Sequence, residues 1–553
     1  MAFQLSPGVN VSEVDLTTVV PSVATTVGGF AGNFNWGPVN EITIINNELQ
    51  LVEKFGKPDS NTATSFFTAA NFLSYANDLR VVRAIGLGAL NATAGGTGRL
   101  VRNADQWTRV DNETFLAKYP GSLGNNIGVS YADATTFSTW DWRNEFNSAP
   151  GTSDWADSKD LINDELHVVV YDYTGVITGT VDTILEKYSY VSKVIDAKSY
   201  DGSNNHYGSV MNTRSKWVWW MNGESNSNWD QLSTDLIANN DLTLDAVVNA
   251  IFEFSGGVDV APENAGLASA FNLFSNPDSV DVSLIMGGAL TSDTIPDFLV
   301  TLVESRKDAL VFLSPQYSDV VNVTNPTTNI VTYRNTITDS SYVVMDSGWK
   351  YQYDKYNDVY RWVPLNGDIA GLCARTDIQR DPWFSPAGYN RGQIKNLVKL
   401  SWNPTSAQRD TLYKTGVNPV VTFPGEGTIL YGDKTLQSRP SAFDRINVRR
   451  LFIVLEKAIA KASRSSLFEF NDEFTRAQFV NLVEPYLRDI QGRRGIYDYR
   501  VVCDTTNNTA EVIDRNEFVG DIYIKPARSI NFIQLNFVAV RTGVAFNEVV
   551  GQF

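Results

Sequence analysis

The fold is read from Thr62-Ala-Thr-Ser-Phe-Phe-Thr-Ala-Ala-Asn-Phe-Leu-Ser-Tyr75. Phe66, Ala69, Ala70 and Leu73 recur at helical spacing and predict a helix with one apolar stripe. Glu41 to Ile45 before it and Leu79 to Ile85 after it read as strands. Strand, helix and strand in that order are the signature of an α/β layer. Ser283 to Met286 and Ala309 to Leu313 read as short buried strands around a helix near Pro296 to Glu304. They are expected to complete the layer begun at Thr25.

Outward from that layer the texture changes twice. Residues 89–250 are rich in Asn, Ser, Thr, Asp and Trp, with short strands expected at His167 to Tyr173 and Trp217 to Met221. An inserted β-rich domain is expected there. From Met345 onward, Pro404 to Lys414 and Asp444 to Ser463 read as helices. In the second, Val448, Leu451, Phe452, Leu455, Ile459 and Ala462 share a face. Arg449, Arg450, Lys457, Lys461 and Arg464 fall mostly off it. Tyr499 to Cys503, Asp521 to Lys525 and Ile530 to Val540 read as strands. The ends are thin. Residues 1–23 favour extended chain, around Val9, Val11, Val14 and Val19, and hold too little apolar surface to fold alone. Residues 541–553, with Val544, Phe546 and Val549, form a second arm. The expected organisation is therefore multidomain, α/β and α+β. It comprises an arm (1–23), an α/β middle domain (24–88 with 251–344), a β-rich outer domain (89–250), a further domain (345–540) and a second arm (541–553).

Composition narrows the chemistry. The chain of 553 residues is 43% hydrophobic and 19% charged, a globular balance. No run approaches the roughly 18 apolar residues of a membrane span. The N-terminus lacks the basic-then-apolar pattern of a secretory signal. Cys373 and Cys503 are the two cysteines, too few for a disulfide framework, and read as reduced, buried thiols. His167 and His206 are the two histidines, which disfavours most metal, triad and acid–base constellations. The net charge of −17 is uneven: residues 345–553 hold 27 basic and 23 acidic side chains, and residues 1–344 hold 18 and 39. An acidic front is averse to nucleic acid, whereas a mildly basic back suits an acidic partner.

Each candidate motif fails on inspection. Gly427-Thr-Ile-Leu-Tyr-Gly432-Asp433-Lys434-Thr435 approaches a phosphate loop, but Asp433 stands where phosphate oxygens belong. It reads as a strand ending in a turn. Gly86-Leu-Gly88 follows a strand but leads into loop, not helix. Trp217, Trp219 and Trp220 crowd one short strand, and Trp217 and Trp219 share a face that could form a sugar platform, yet aromatics on a strand more often serve a core. Asp354 and Asp358 could pair as carboxylates, but in Lys350-Tyr-Gln-Tyr-Asp-Lys-Tyr-Asn-Asp358 a solvated or interface strand explains them as well. No catalytic residue, cofactor site or metal site is assigned.

The C-terminal third then becomes specific. It carries K-Y-Q-Y-D-K-Y-N-D from Lys350, D-I-A-G-L-C-A-R-T-D from Asp368, S-P-A-G-Y-N-R-G-Q-I from Ser385 and F-D-R-I-N-V-R-R-L-F from Phe443. Y-R-V-V-C-D-T-T-N-N-T follows at Tyr499 and P-A-R-S-I-N at Pro526, while S-P-G-V at Ser6, N-W-G-P at Asn35 and N-D-L-R-V-V-R-A at Asn77 agree at the front. Together these closely resemble the contractile tail sheath family of T-even-type bacteriophages. The resemblance is near-continuous from Met345 to the end, good over the first 85 residues and patchy between. The T-even sheath has a longer middle, so nothing about its outermost domain is carried over.

The resemblance implies that N- and C-terminal segments combine into an inner α+β domain, with the middle inserted outward. It implies a cofactor-free structural subunit, not an enzyme. Such subunits polymerise helically around a tail tube and contract from a metastable extended state to drive the tube through the host envelope. The implied partners are further copies, the tail tube protein, and baseplate and tail terminator proteins, without nucleic acid or membrane insertion. The implied location is the virion, after assembly in the host cytoplasm. A bacteriocin or secretion-system sheath of the same fold is the alternative. The arms, through Val9, Val11, Val14, Val19, Val544, Phe546 and Val549, are expected to add strands to neighbours' sheets. In related sheaths a basic helix touches the tube; Arg449, Arg450, Lys457, Lys461 and Arg464 are its candidates here.

Overall fold

A computed structural model describes residues 20, 23–108, 114–222, 228–248, 251–531 and 533–534. The chain divides into two compact units, Met1–Leu467 and Phe468–Phe553.

The first unit is organised by a seven-stranded sheet. Its strands run in the order Val417–Asn418, Val343–Asp346, Leu310–Leu313, Leu284–Met286, Gly28–Gly32, Leu79–Arg83 and Ile42–Ile45. All neighbours are parallel except Ile42–Ile45, which runs antiparallel to Leu79–Arg83. The expected strand–helix–strand unit is thus correct as an α/β layer but anchored on a different strand. The parallel partner of Leu79–Arg83 is Gly28–Gly32, with Phe30 opposite Val81. This glycine-rich strand has little intrinsic propensity. It exists because the Ala63–Leu73 helix lies so close that a Cβ on Gly28 would stand 2.7 Å from the Phe72 ring.

Alternation along the strands sorts the core. Phe30, Leu284, Met286, Leu310, Phe312 and Val344 face one side, beneath the helices Ala63–Leu73 and Asn366–Gln379. Ala31, Ile285, Val311, Leu313, Val343 and Met345 face the other, beneath Asn264–Asn272, Thr294–Arg306 and Pro326–Thr336. The expected division at residues 344/345 is therefore corrected. Val343–Asp346 crosses it, buried on both faces, and Val417–Asn418 extends the same sheet.

Between Arg83 and Asn264 the chain builds a separate four-stranded antiparallel sheet: Thr183–Ser192, Glu165–Asp172, Ile127–Ala132 and Ile251–Glu253. Val168 and Val170 face a core with Tyr131, Tyr207 and Trp220, and Val169 and Tyr171 face a smaller one with Trp140 and Phe146. The expected boundary at 250 falls one strand early, since Phe252 pairs with Val129 in this sheet. The chain leaves and returns along a hydrogen-bonded neck. Gly86 N donates to Val260 O at 2.8 Å, and Leu90 and Val258 exchange bonds of 3.1 and 2.9 Å.

In the second unit the Glu473–Gly492 helix packs on the antiparallel pair Ile496–Val502 and Asp521–Pro526. Asp472 caps it, accepting from Thr475 N at 2.8 Å. The expected strand from Ile530 is absent at the described residues 530, 531, 533 and 534, and the rest of that range lies outside them.

Candidate functional site

The sequence candidate best described is the Ile446–Ser463 helix. Its cations divide into two populations. Arg449 is buried: its guanidinium carbon lies 3.9 Å from the Phe443 ring centroid and 4.2 Å from that of Tyr342. Arg450 is buried as well and grips both oxygens of Asp377, at 2.6 and 2.5 Å, while reaching Cys373 O at 3.1 Å. Burial pushes the Asp377 carboxyl up, and the guanidinium beside it opposes that shift. These two arginines are a correction to the expected basic face. The helix is enclosed on more than its apolar stripe, so a helical projection places them outside while the fold places them inside.

Lys457 is half-buried and bridges Asp281 and Asp308, the latter also held by Arg306 at 2.8 and 2.9 Å. Lys461 is exposed, and Arg464 is exposed and 3.0 Å from exposed Asp278. Of the five candidates, Lys461 and Arg464 are thus the ones presented to solvent. The arm candidates Val9, Val11, Val14, Val19, Val544, Phe546 and Val549 lie outside the described residues.

A second place to look is the carboxyl end of the large sheet. Open α/β sheets bind ligands where strand order reverses, here between Gly28–Gly32 and Leu284–Met286. That crevice is filled by the chain itself. Asn366, at the start of its helix, donates Nδ2 to Gly288 O at 2.9 Å and accepts from Gly288 N at 3.2 Å. It also donates to Ser314 Oγ at 3.0 Å, and Ser314 donates onward to Asp346 at 2.6 Å. Burial pushes the fully enclosed Asp346 carboxyl up to about 8. Beside it Lys350 and Asp368 form an ion pair at 2.9 Å, both fully buried, and Tyr75 donates to the same carboxylate at 3.0 Å. Sequence reasoning missed this network. Its signal was the alternation Lys350, Gln352, Asp354 against Tyr351, Tyr353, which read as a solvated or interface strand, whereas the charged side faces inward.

The remaining candidates resolve into structure. Asp433 accepts from Arg445 at 2.9 Å and from Ser385 at 3.1 Å, and Lys434 donates to Tyr413 O at 2.8 Å. The preceding residues form the strand Gly427–Leu430. Trp219 and Trp220 are buried in cores, with Lys118 Nζ 3.4 Å from the Trp219 ring centroid. Asp354 is buried on Arg361 at 2.7 Å, while Asp358 accepts from the Tyr353 hydroxyl. Among the described residues, no group of three or more His, Cys, Asp or Glu side chains is placed to hold a metal ion. No described helix is long and apolar enough to cross a membrane.

Comparison with known proteins locates this architecture. Residues 25–84 match the tail sheath protein Gp18 domain III N-terminal region, 281–436 the phage tail sheath protein central domain, and 438–539 the phage tail sheath C-terminal domain. The tail sheath protein of Enterobacteria phage T4 is 35% identical over 661 aligned positions, covering 99% of each chain. That of Vibrio phage KVP40 is 35% identical over 674, covering 99% of this chain and 100% of the relative. Both alignments exceed 553 positions, so each relative holds segments this chain lacks. In fold, a sheath tail protein from Listeria innocua superposes with a TM-score of 0.55 at 12% identity, covering 91% of this chain and 96% of that one. The chain belongs to the phage tail sheath protein family.

Proposed function

We propose that this chain is the structural subunit of a phage contractile tail sheath, located in the virion. Copies assemble helically around a tail tube, between a baseplate and a tail terminator, after synthesis in the host cytoplasm. They are held in an extended, metastable packing and shorten to drive the tube through the host envelope. Full-length similarity to tail sheath proteins is the observation that carries this reading. The free energy is the difference between two packings of the same subunits, so no nucleotide is consumed.

The arms 1–23 and 541–553 link neighbours by adding strands to their sheets. A backbone hydrogen bond contributes about 0.5–1.5 kcal/mol net, so a link of a few bonds holds while subunit bodies rotate. Lys461 and Arg464 supply the cationic contact to the tube, weak and salt-sensitive as exposed pairs are. Residues 89–250 with the adjoining strand Ile251–Glu253 form the outward domain, lying between the family-matched segments 25–84 and 281–436.

Negative-stain images of the purified chain test the reading. Tubular polymers are expected in buffer without nucleotide or metal, and contracted and extended sheaths on co-expressed tail tubes. Removing either arm is expected to leave the chain folded and abolish polymers. A chain that stays monomeric with and without tubes at every concentration tried would overturn the assembly reading.

A further inference from the structure

The small sheet Val359–Pro364, Trp349–Asp354 and Lys399–Leu400 is inverted relative to an ordinary half-exposed sheet. Its charged side is inward: Lys350, Gln352 and Asp354 are buried on Asp368, Asn71 and Arg361. Its aromatic side is outward. Tyr351 pairs with Trp362 and Tyr353 with Tyr360 across the strands. Their rings form a continuous ladder, with centroids 4.7 Å apart for Tyr351–Trp362, 5.5 Å for Tyr351–Tyr360 and 5.3 Å for Tyr353–Tyr360. Tyr353 and Tyr360 are 47% and 52% exposed. Exposed Lys399 stands over the ladder, 5.2 Å from the Tyr351 ring centroid. Contiguous aromatic area of this kind is what protein interfaces are built around.

A matching surface occurs on the second unit. Phe468, Phe470 and Phe474 are 105%, 84% and 70% exposed, interleaved with Glu469, Asp472 and Glu473. Phe468 adopts a φ of 71°, a left-handed conformation unusual for a bulky residue. Asp472 is committed to capping its helix, which leaves Glu469 as the acid set between the first two rings.

We propose that the aromatic ladder of one copy receives the Phe468–Phe474 segment of another, with Lys399 facing Glu469. The inference rests on the assembly reading above and names one of its contacts. Two arguments select a second copy as the occupant. Lys399 over the ladder and Glu469 between the rings are opposite in sign, and a contact between different patches of identical chains can propagate as an open helix, as a helical polymer requires. Tyrosine and tryptophan provide large contact area with little rotamer entropy to lose.

The test uses the full chain. The Tyr353→Ser/Tyr360→Ser double variant should stay folded with a small drop in melting temperature, because both rings are half-exposed and pack mainly on each other and on Tyr351. Its critical concentration for polymer, measured by sedimentation, should rise about tenfold or more, the size of losing an aromatic hot spot. Phe468→Ser/Phe470→Ser should do the same. Lys399→Glu and Glu469→Lys should each weaken assembly, and the double reversal should recover most of it. If wild type itself never polymerises, the assembly reading fails. If wild type polymerises and the ladder variant matches it, this inference is overturned. It is equally overturned if the ladder variant fails while the Phe468/Phe470 variant assembles normally, because then an arm or another segment is the occupant. Ladder variants that polymerise normally but no longer bind tail tubes would instead assign the face to the tube protein, and overturn it too.

Discussion

Arg450 on the Ile446–Ser463 helix holds both carboxylate oxygens of Asp377 on the Asn366–Gln379 helix. The bond ties two helices through charges that solvent does not reach. Removing either partner strands the other, at a cost of about 3–5 kcal/mol. Arg450→Ala and Asp377→Ala should each show that loss in urea unfolding. Lys461→Ala on the same helix and Arg464→Ala at its C-terminal cap, both exposed, should stay within about 0.5 kcal/mol. Equal effects at all four positions would mean the helix is not enclosed as described.

Asp346 gives the fold a pH dependence. Its carboxyl holds a proton to about pH 8 when folded, and an unfolded aspartate releases it near 4. The native state therefore binds more protons across that window, and this group's contribution falls as pH rises, by up to about 1.4 kcal/mol per unit. Above the folded value the loss is complete and the dependence flattens. Asp346→Asn removes the titration, so its stability relative to wild type should increase from pH 5 to pH 8 in paired urea melts. A constant difference would show that Asp346 titrates normally.

Gly28 is a steric requirement. Valine there improves strand propensity yet places atoms inside the Phe72 ring contact, 2.7 Å from a Cβ. Gly28→Val should destabilise by about 1–3 kcal/mol. A simultaneous Phe72→Leu change should return part of it, which a double-mutant cycle would read as coupling.

Cys373 is fully buried, and burial pushes its thiol up to about 12. The native protein at pH 8 should leave it unalkylated by iodoacetamide over hours, and unfolding in urea should expose it at once. Mass spectrometry of the peptide carrying Cys373 gives the answer. Rapid native labelling would require that the Asn366–Gln379 helix opens locally.

The β-rich module between Gly86 and Val260 should be removable. Replacing it with a short turn is expected to leave a soluble, cooperatively unfolding remainder. A modest drop in melting temperature is expected, because Arg83 loses its 2.7 Å bond to Pro120 O and Trp36 loses Tyr119 and Trp217. Insolubility of the shortened chain would argue against an independent module.

Much of this was legible because it is periodic. The Ala63–Leu73 and Ile446–Ser463 helices and the strands near residues 284 and 310 fall where they are expected, and the strand expected at Tyr499 to Cys503 begins three residues earlier, at Ile496. The illegible parts depend on partners distant in sequence. Gly28–Gly32 has no strand signal of its own, and the role of Val417–Asn418 is set by a neighbour seventy residues earlier. The Glu473–Gly492 helix is masked by its internal Pro485 and mixed faces. Arg449 and Arg450 looked solvent-facing because a projection contains one helix and no surroundings. The buried Lys350–Asp368 pair was hidden for the same reason, since nothing local tells an inward alternation from an outward one.

The neck at Gly86 and Val260 has a consequence for descent. Its two segments are bonded side by side, so whatever lies beyond them starts and ends at one point. The entropy of closing a loop grows only with the logarithm of its length, about 0.6 kcal/mol per doubling. A gene encoding this chain can therefore gain, lose or exchange the coding sequence distal to the neck at little cost in loop closure, the penalty to the sheet beneath being confined to the few contacts of Arg83 and Trp36. The neck is a splice point: the module beyond it is free to diversify under selection while the seven-stranded framework stays fixed.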